Sequence, residues 1–243
     1  MANPALNNQL FENQSFISEN NIMTINGTML KSMFLLFLVF ISGAYSWATY
    51  IAGNMPMVKK FMIAGFIVGF ILAMIIIFTR KTAPFLSPLY AIAEGLALGG
   101  VSAIANAQIP GVVFQAVVGT LAVMFVMLSL YMSKVISVTE KLRSIIVAST
   151  GAIVTIYIVS LILSFFGKSV PFINDATPIG IGFSLLVIIV AAFNLLLDFD
   201  IIERGVAMMA PKYFEWYCSF GLLVTLVWLY LEVLRLLSKL QRR

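Results

Sequence analysis

Gly221-Leu222-Leu223-Val224-Thr225-Leu226-Val227-Trp228-Leu229-Tyr230-Leu231-Glu232-Val233-Leu234-Arg235 is an apolar run with one acid inside it, and it forms the core of a longer hydrophobic segment at about 217–237. At 1.5 Å per residue, a helix of that length crosses the roughly 30 Å of bilayer hydrocarbon. Six comparable segments precede it, at about 31–52, 61–79, 87–106, 110–132, 143–166 and 178–199. The chain of 243 residues is 61% hydrophobic and 10% charged, with a mean hydropathy of +1.04. That leaves too little polar surface to cover a soluble globule, so lipid is the solvent for most of it. The expected fold is an all-α membrane protein, a seven-transmembrane-helix bundle. A polar extension over 1–28 precedes a single transmembrane domain over 29–243.

The breaks carry turn chemistry: Gly53-Asn54-Met55-Pro56, Arg80-Lys81 leading to Pro84 and Pro88, and Gln108-Ile109-Pro110-Gly111. The third and fourth segments lie so close that they must form a tight antiparallel hairpin. The stretch from Gly167 through Pro178 leaves room for a re-entrant turn. The Asn-rich start lacks a basic region and a cleavage-like site, so it reads as a surface extension, not a signal peptide. It contains the sequons Asn13-Gln14-Ser15 and Asn26-Gly27-Thr28, which matter only if that end reaches a secretory lumen. The fifteen Lys and Arg divide almost evenly between the two sides of a seven-crossing topology, leaving sidedness open. A six-crossing alternative makes the last segment re-entrant. Gly65-x3-Gly69 and Gly95-x3-Gly99 are spaced to let helix backbones approach closely, within one chain in preference to between two.

Three acids, Glu94, Asp198 and Glu232, lie within or at the edges of apolar segments. A charge at a helix centre costs about 2.5–3.5 kcal/mol on insertion scales, so such residues face a partner or a watery cavity. Tyr90 and Ser87 share a helical face with Glu94, and no basic residue stands within a turn of it. Glu232 has Thr225 and Trp228 on its side and Arg235 within reach at i+3, so it is either a local ion pair or part of a shared site. Asn194 precedes Asp198 by one turn, while Asp200 points about 200° away from Asp198 if the helix continues. Those last acids, with Glu203 and Arg204, also fit an ordinary solvated helix end. Two carboxylates sharing one proton form a closed latch, and losing the proton creates mutual repulsion and affinity for hard cations such as Ca²⁺.

Other chemistries are poorly served. The chain has no histidine, which excludes imidazole metal sites and a Ser-His-Asp triad, and its one cysteine, Cys218, reads as packing. HExxH, GxSxG, a Walker loop and GxGD are all absent, so no enzymatic activity and no cofactor are expected. Nor is nucleic acid an expected partner; the positive charge speaks to topology and anionic headgroups.

Several stretches resemble the bacterial YccA-like branch of the Bax inhibitor superfamily. They are Asn3-Pro4-Ala5-Leu6, Met23-Thr24-Ile25-Asn26-Gly27-Thr28, Ser87 through Gly99, Asn194-Leu195-Leu196-Leu197-Asp198-Phe199-Asp200, and the run Gly221–Arg235 quoted above. The resemblance implies seven helices with the last one surrounded by the other six, a bacterial inner-membrane location, and a pH-sensitive calcium leak. In such proteins the leak is gated by hydrogen-bonded aspartates on the sixth and seventh helices, assisted by an arginine on the second. Asp198 matches the first aspartate. Thr225 stands at the position of the other, and no arginine lies inside the second segment, which Lys60 precedes and Arg80 follows. Glu94 or Glu232 is therefore expected to supply the missing acid, with Asp198, Glu94 and Glu232 as candidate Ca²⁺ ligands and Asp200, Arg235, Thr225 and Asn194 in supporting roles. The other function the resemblance implies is regulatory: binding and modulating other membrane proteins, a membrane protease for example, without moving ions.

Overall fold

The computed structural model describes residues 22–167, 173 and 175–242. Within them seven helices are long and apolar enough to span a membrane. They are α1 (Ile25–Ile51), α2 (Met55–Phe78), α3 (Ala83–Gln108), α4 (Val112–Met132), α5 (Glu140–Phe165), α6 (Pro178–Ala207) and α7 (Phe214–Gln241), with a short 3-10 turn at Arg80–Thr82. The last is one unbroken helix, which removes the six-crossing alternative. The sequon at Asn13, the first stretch of the family resemblance and half of the fifth connection, where a re-entrant turn had room, lie outside the described residues.

Local chemistry sets the ends. Thr24 accepts a hydrogen bond from Gly27 N at 2.9 Å and caps α1, so residues 25–28, assigned from sequence to the polar extension, form its first turn. Asn54 caps α2 by accepting from Met57 N at 3.2 Å. Gly111, at φ +83°, joins α3 to α4 after only Ile109 and Pro110, which is the tight hairpin expected. Lys134 and Met209 take left-handed conformations just beyond α4 and α6. Helix α6 runs on to Ala207, well past the boundary read from its hydropathy.

Helix α3 is the most enclosed span, and α7 is next. The glycines of α3 explain its position. A Cβ on Gly99 would lie 2.2 Å from the Gly43 carbonyl oxygen of α1, and one on Gly65 of α2 would lie 2.5 Å from the Ala93 carbonyl oxygen. Both small-residue motifs therefore pack helices within the chain, as their spacing suggested. Helix α7 packs against α1, α3, α4 and α6. It is central: α1, α3, α4 and α6 approach it most closely by backbone, and α5, resting on α6, reaches it through Tyr157.

Two hydrophobic cores meet on α7. One joins Leu35 of α1, Ile76 of α2 and Tyr90 of α3 to Phe220 and Leu223; the other joins Ala116 of α4 and Leu195 of α6 to Leu226 and Leu229. The chain is thus two half-bundles, α1–α3 and α4 with α6, leaning on one shared helix.

Candidate functional site

The helices alternate in direction, so the start of α1, the α2–α3, α4–α5 and α6–α7 connections share one membrane face, called the near face below. Asp198 lies about 14 Å along α6 from its near-face end, while Glu94 on α3 and Thr225 on α7 each lie about 16 Å in. These three occupy one layer of the bundle. Glu232 is seven residues beyond Thr225, in the half toward the far face.

Asp198 turns toward α7. Its Oδ1 comes within 3.9 Å of where a Cβ on Gly221 would stand, and Thr225 lies against it. The Thr225 hydroxyl donates to the Gly221 carbonyl at 3.3 Å, the usual i−4 bond of a helical threonine. Asp198 Oδ2 is buried with no hydrogen-bond partner. Thr225, which the resemblance sets at the position of the second aspartate, thus lies beside Asp198, and the group facing that carboxyl from α7 is a hydroxyl.

Glu94 is buried against α2. Its Oε1 would sit 2.9 Å from a Cβ on Gly69, so glycine there makes room for the carboxyl group. Tyr90 lies beside it on the same face, and Tyr90 in turn meets Phe220 of α7 edge-on at 4.9 Å. Glu94 Oε2 and Ser87 Oγ, on that same stripe, are both buried without a hydrogen-bond partner. The face predicted from helical spacing is real, and its polar atoms are short of partners.

Glu232 has the opposite character. It is 1% exposed, yet Arg235 donates to its two oxygens at 2.8 and 3.0 Å and the Tyr157 hydroxyl of α5 donates to Oε1 at 2.7 Å. Arg235 also donates to Tyr157 Oη at 2.6 Å and lies over its ring at 5.1 Å. Of the two readings of Glu232, the structure takes the ion pair and closes it with a tyrosine from a third of the chain away. Charged hydrogen bonds are worth about 1.5–3 kcal/mol each. Tyr157→Phe is accordingly expected to lower stability by about 2 kcal/mol, read as a lower midpoint of detergent unfolding; an unchanged midpoint would show the triad to be idle.

The expected convergence of the three acids fails. Glu94 faces α2, Asp198 faces Thr225, and Glu232 is held by Arg235 and Tyr157; among the described residues no group of three or more acids or thiols could hold a metal ion. Neither Glu94 nor Glu232 stands in for the missing acid at Thr225, and the three do not form one Ca²⁺ site. The physical reason is the layout of the bundle: α3 and α6 share no substantial interface, and Glu232 sits about 10 Å farther along α7 than Thr225.

The supporting residues also separate. Asn194 donates to Thr150 Oγ1 of α5 at 2.8 Å and to the Val190 carbonyl at 2.9 Å. Asp200, pointing away from Asp198 as helical spacing required, pairs with Arg143 of α5 at 2.5 Å and Arg204 at 2.8 Å. The near-face end of α6 is thus a paired network instead of a bare solvated end. Sequence reasoning passed over two buried groups. Glu215, fully buried at the start of α7, pairs with Lys31 of α1 and accepts from Thr24 N at 2.8 Å. Lys239, 3% exposed, donates to the Gly180 carbonyl and to Ser184 Oγ, each at 2.9 Å. Both sit at segment edges, where a charge looks interfacial, and their partners lie far away in sequence.

Against known proteins, no curated protein and no solved structure matches the chain. The family model described as Bax inhibitor 1 like matches residues 3–242, nearly its whole length, and the seven membrane-length helices are those the resemblance implied. The chain is a multi-pass membrane protein that belongs to the Bax inhibitor 1 like family.

Proposed function

We propose that this protein is a pH-sensitive cation leak, with Ca²⁺ the expected ion, gated by the protonation of Asp198 against Thr225. The observation that carries the reading is Asp198 Oδ2, buried in the bundle without a partner. A group kept only for packing is normally satisfied, since leaving a buried polar atom bare costs about 1–3 kcal/mol. A carboxyl facing a hydroxyl can hold a proton and act as a neutral plug. Losing that proton leaves a lone negative charge that threonine cannot repel, so opening rests on attraction of a cation and its water, not on the repulsion of a two-acid latch. Glu94 forms a second, separate protonation point in the same layer.

Reconstituted liposomes test this by Ca²⁺ flux at pH 6 and pH 8. Flux at pH 8 is expected to exceed flux at pH 6, and Asp198→Asn to remove that difference, because an amide has no proton to lose. Glu232→Gln is expected to leave the pH dependence in place, its acid being neutralised already by Arg235. Flux no greater than that of empty liposomes at either pH would sink the leak. It would favour the other reading, a regulatory protein that binds other membrane proteins, which the separation of the three acids supports.

A further inference from the structure

Helices α1 and α4 share no substantial interface, and the two half-bundles leave a groove between them. Its floor is α7. Two apolar lobes share Leu36 and Leu226 as a common wall: a near-face lobe of about 680 Å³ and a far-face lobe of about 1010 Å³. Most of the lining of both comes from membrane-spanning helices, around which hydrocarbon, not water, is the solvent. The near-face lobe is walled by Met29 and Met33 of α1 and by Met124 and Met132 of α4. Flexible thioethers suit a chain that adopts many conformations.

The mouth of that lobe carries the polar signal. Lys134, held out by its left-handed backbone just after α4, and Glu203 of α6 both line it. Among the described residues Lys134 forms no ion pair. Glu203 accepts from the Tyr131 hydroxyl but pairs with no cation either, and the two charges do not reach each other. This contrasts with Asp200 in the same wall, which Arg143 and Arg204 neutralise. One positive and one negative group, unpaired with each other and lining the same apolar slot, complement the two charges of a zwitterion. We propose that the near-face lobe binds one phospholipid bearing a primary ammonium: its acyl chain lies between α1 and α4, its phosphate meets Lys134, and its ammonium donates to Glu203. A quaternary ammonium cannot donate, and a glycerol headgroup has no positive charge to offer.

The test uses the full chain in bilayer nanodiscs containing equal parts of phosphatidylethanolamine, phosphatidylcholine and phosphatidylglycerol. After transfer to mild detergent, retained lipids are counted by native mass spectrometry. One retained phosphatidylethanolamine per chain is expected, favoured about threefold to fivefold over each of the others, the discrimination one interfacial ion pair provides. Glu203→Gln, which keeps an acceptor for Tyr131, is expected to erase the preference over phosphatidylcholine. Lys134→Gln should reduce retention of all three phospholipids, and Leu128→Trp, which fills the lobe, should do the same while leaving both charges in place. Equal retention of the three lipids, or a preference untouched by Glu203→Gln, would overturn the assignment. A lipid-free dimer would overturn it too, by showing that a second chain fills the groove.

Discussion

Gly99→Ala is expected to destabilise the protein by about 3 kcal/mol, the upper end of what over-packing usually costs, and Gly99→Leu to abolish folded material. The added Cβ would lie 2.2 Å from the Gly43 carbonyl oxygen, 2.8 Å from its Cα and 2.9 Å from its carbonyl carbon. All three are backbone atoms, so no rotamer change can relieve the clash. Either α1 or α3 must move as a body, and both are already fixed by α2 and α7. The reciprocal change is milder: a Cβ on Gly43 is a few tenths of an ångström too near the Gly95 carbonyl oxygen, at 3.3 Å, and in ordinary contact with Gly99 Cα and N, at 3.9 Å. Gly182→Ala serves as the control, because its Cβ would find nothing within 4 Å. That change should be neutral or stabilising by up to about 1 kcal/mol, through helix propensity alone. Thermal unfolding in detergent gives the order: Gly99→Ala lowest, Gly43→Ala intermediate, Gly182→Ala at or above the parent. Equal melting temperatures for the Gly99 and Gly182 variants would mean that α1 and α3 do not cross as described.

How much of this was open to reading depends on how far apart the interacting residues lie. Hydropathy finds apolar density, so seven spans were legible. Helix ends are set by hydrogen bonding, so they were legible only where a cap residue stood out. Thr24 begins α1 six residues before the apolar run. Helix α6 continues past Asp198 because Asp200 finds Arg143 across a gap of 57 residues, and no window along the sequence can see that pairing. The Glu232–Arg235 pair was visible because it spans one turn, whereas Tyr157, which completes it, comes from α5. Helical spacing placed Ser87, Tyr90 and Glu94 on one face correctly, yet it could not say that the face meets Gly69 instead of Asp198. Spacing gives direction around a helix. The partner in that direction is a property of the whole bundle.

That distinction bears on the proposed gate. A two-acid latch requires both acids in one layer on helices that touch, and α6 with α7 is the closely packed pair that carries Asp198. The seventh-helix partner in that layer is a threonine. Any proton-dependent change at this position therefore involves a single negative charge, and its strength is the cost of burying that charge, not the repulsion between two.

The other large effect is expected at the near-face end of α7, where Glu215→Ala should cost about 3–5 kcal/mol, the usual penalty for removing one partner of a buried ion pair. Glu215 is fully buried, and its Oε1 accepts from Thr24 N at 2.8 Å and from Thr24 Oγ1 at 3.0 Å while Lys31 pairs with Oε2. A Cβ on Gly27 would stand 2.3 Å from Oε1, so the first turn of α1 has been cleared to receive this carboxylate. Around it the residues just before α1 are bound to the α6–α7 turn by the Met23 N to Ala210 O bond at 2.8 Å, and Ser219 Oγ reaches the Thr28 carbonyl at 2.9 Å. Truncation strands Lys31, which is only 18% exposed, and the Thr24 amide together. Lys31→Met should be costly for the mirror reason, leaving the buried carboxylate with only Lys212, at 3.7 Å, and the Thr24 donors to balance it. The double variant Lys31→Met with Glu215→Met is expected to be more stable than the sum of the single changes implies, since a buried pair replaced by apolar groups restores much of what breaking it lost. A double-mutant cycle on unfolding free energies, with Lys31→Met and Glu215→Met as its single variants, measures this directly. Strictly additive single and double variants would show that α1 and α7 are held by packing alone, with Glu215 and Lys31 no more than neighbours.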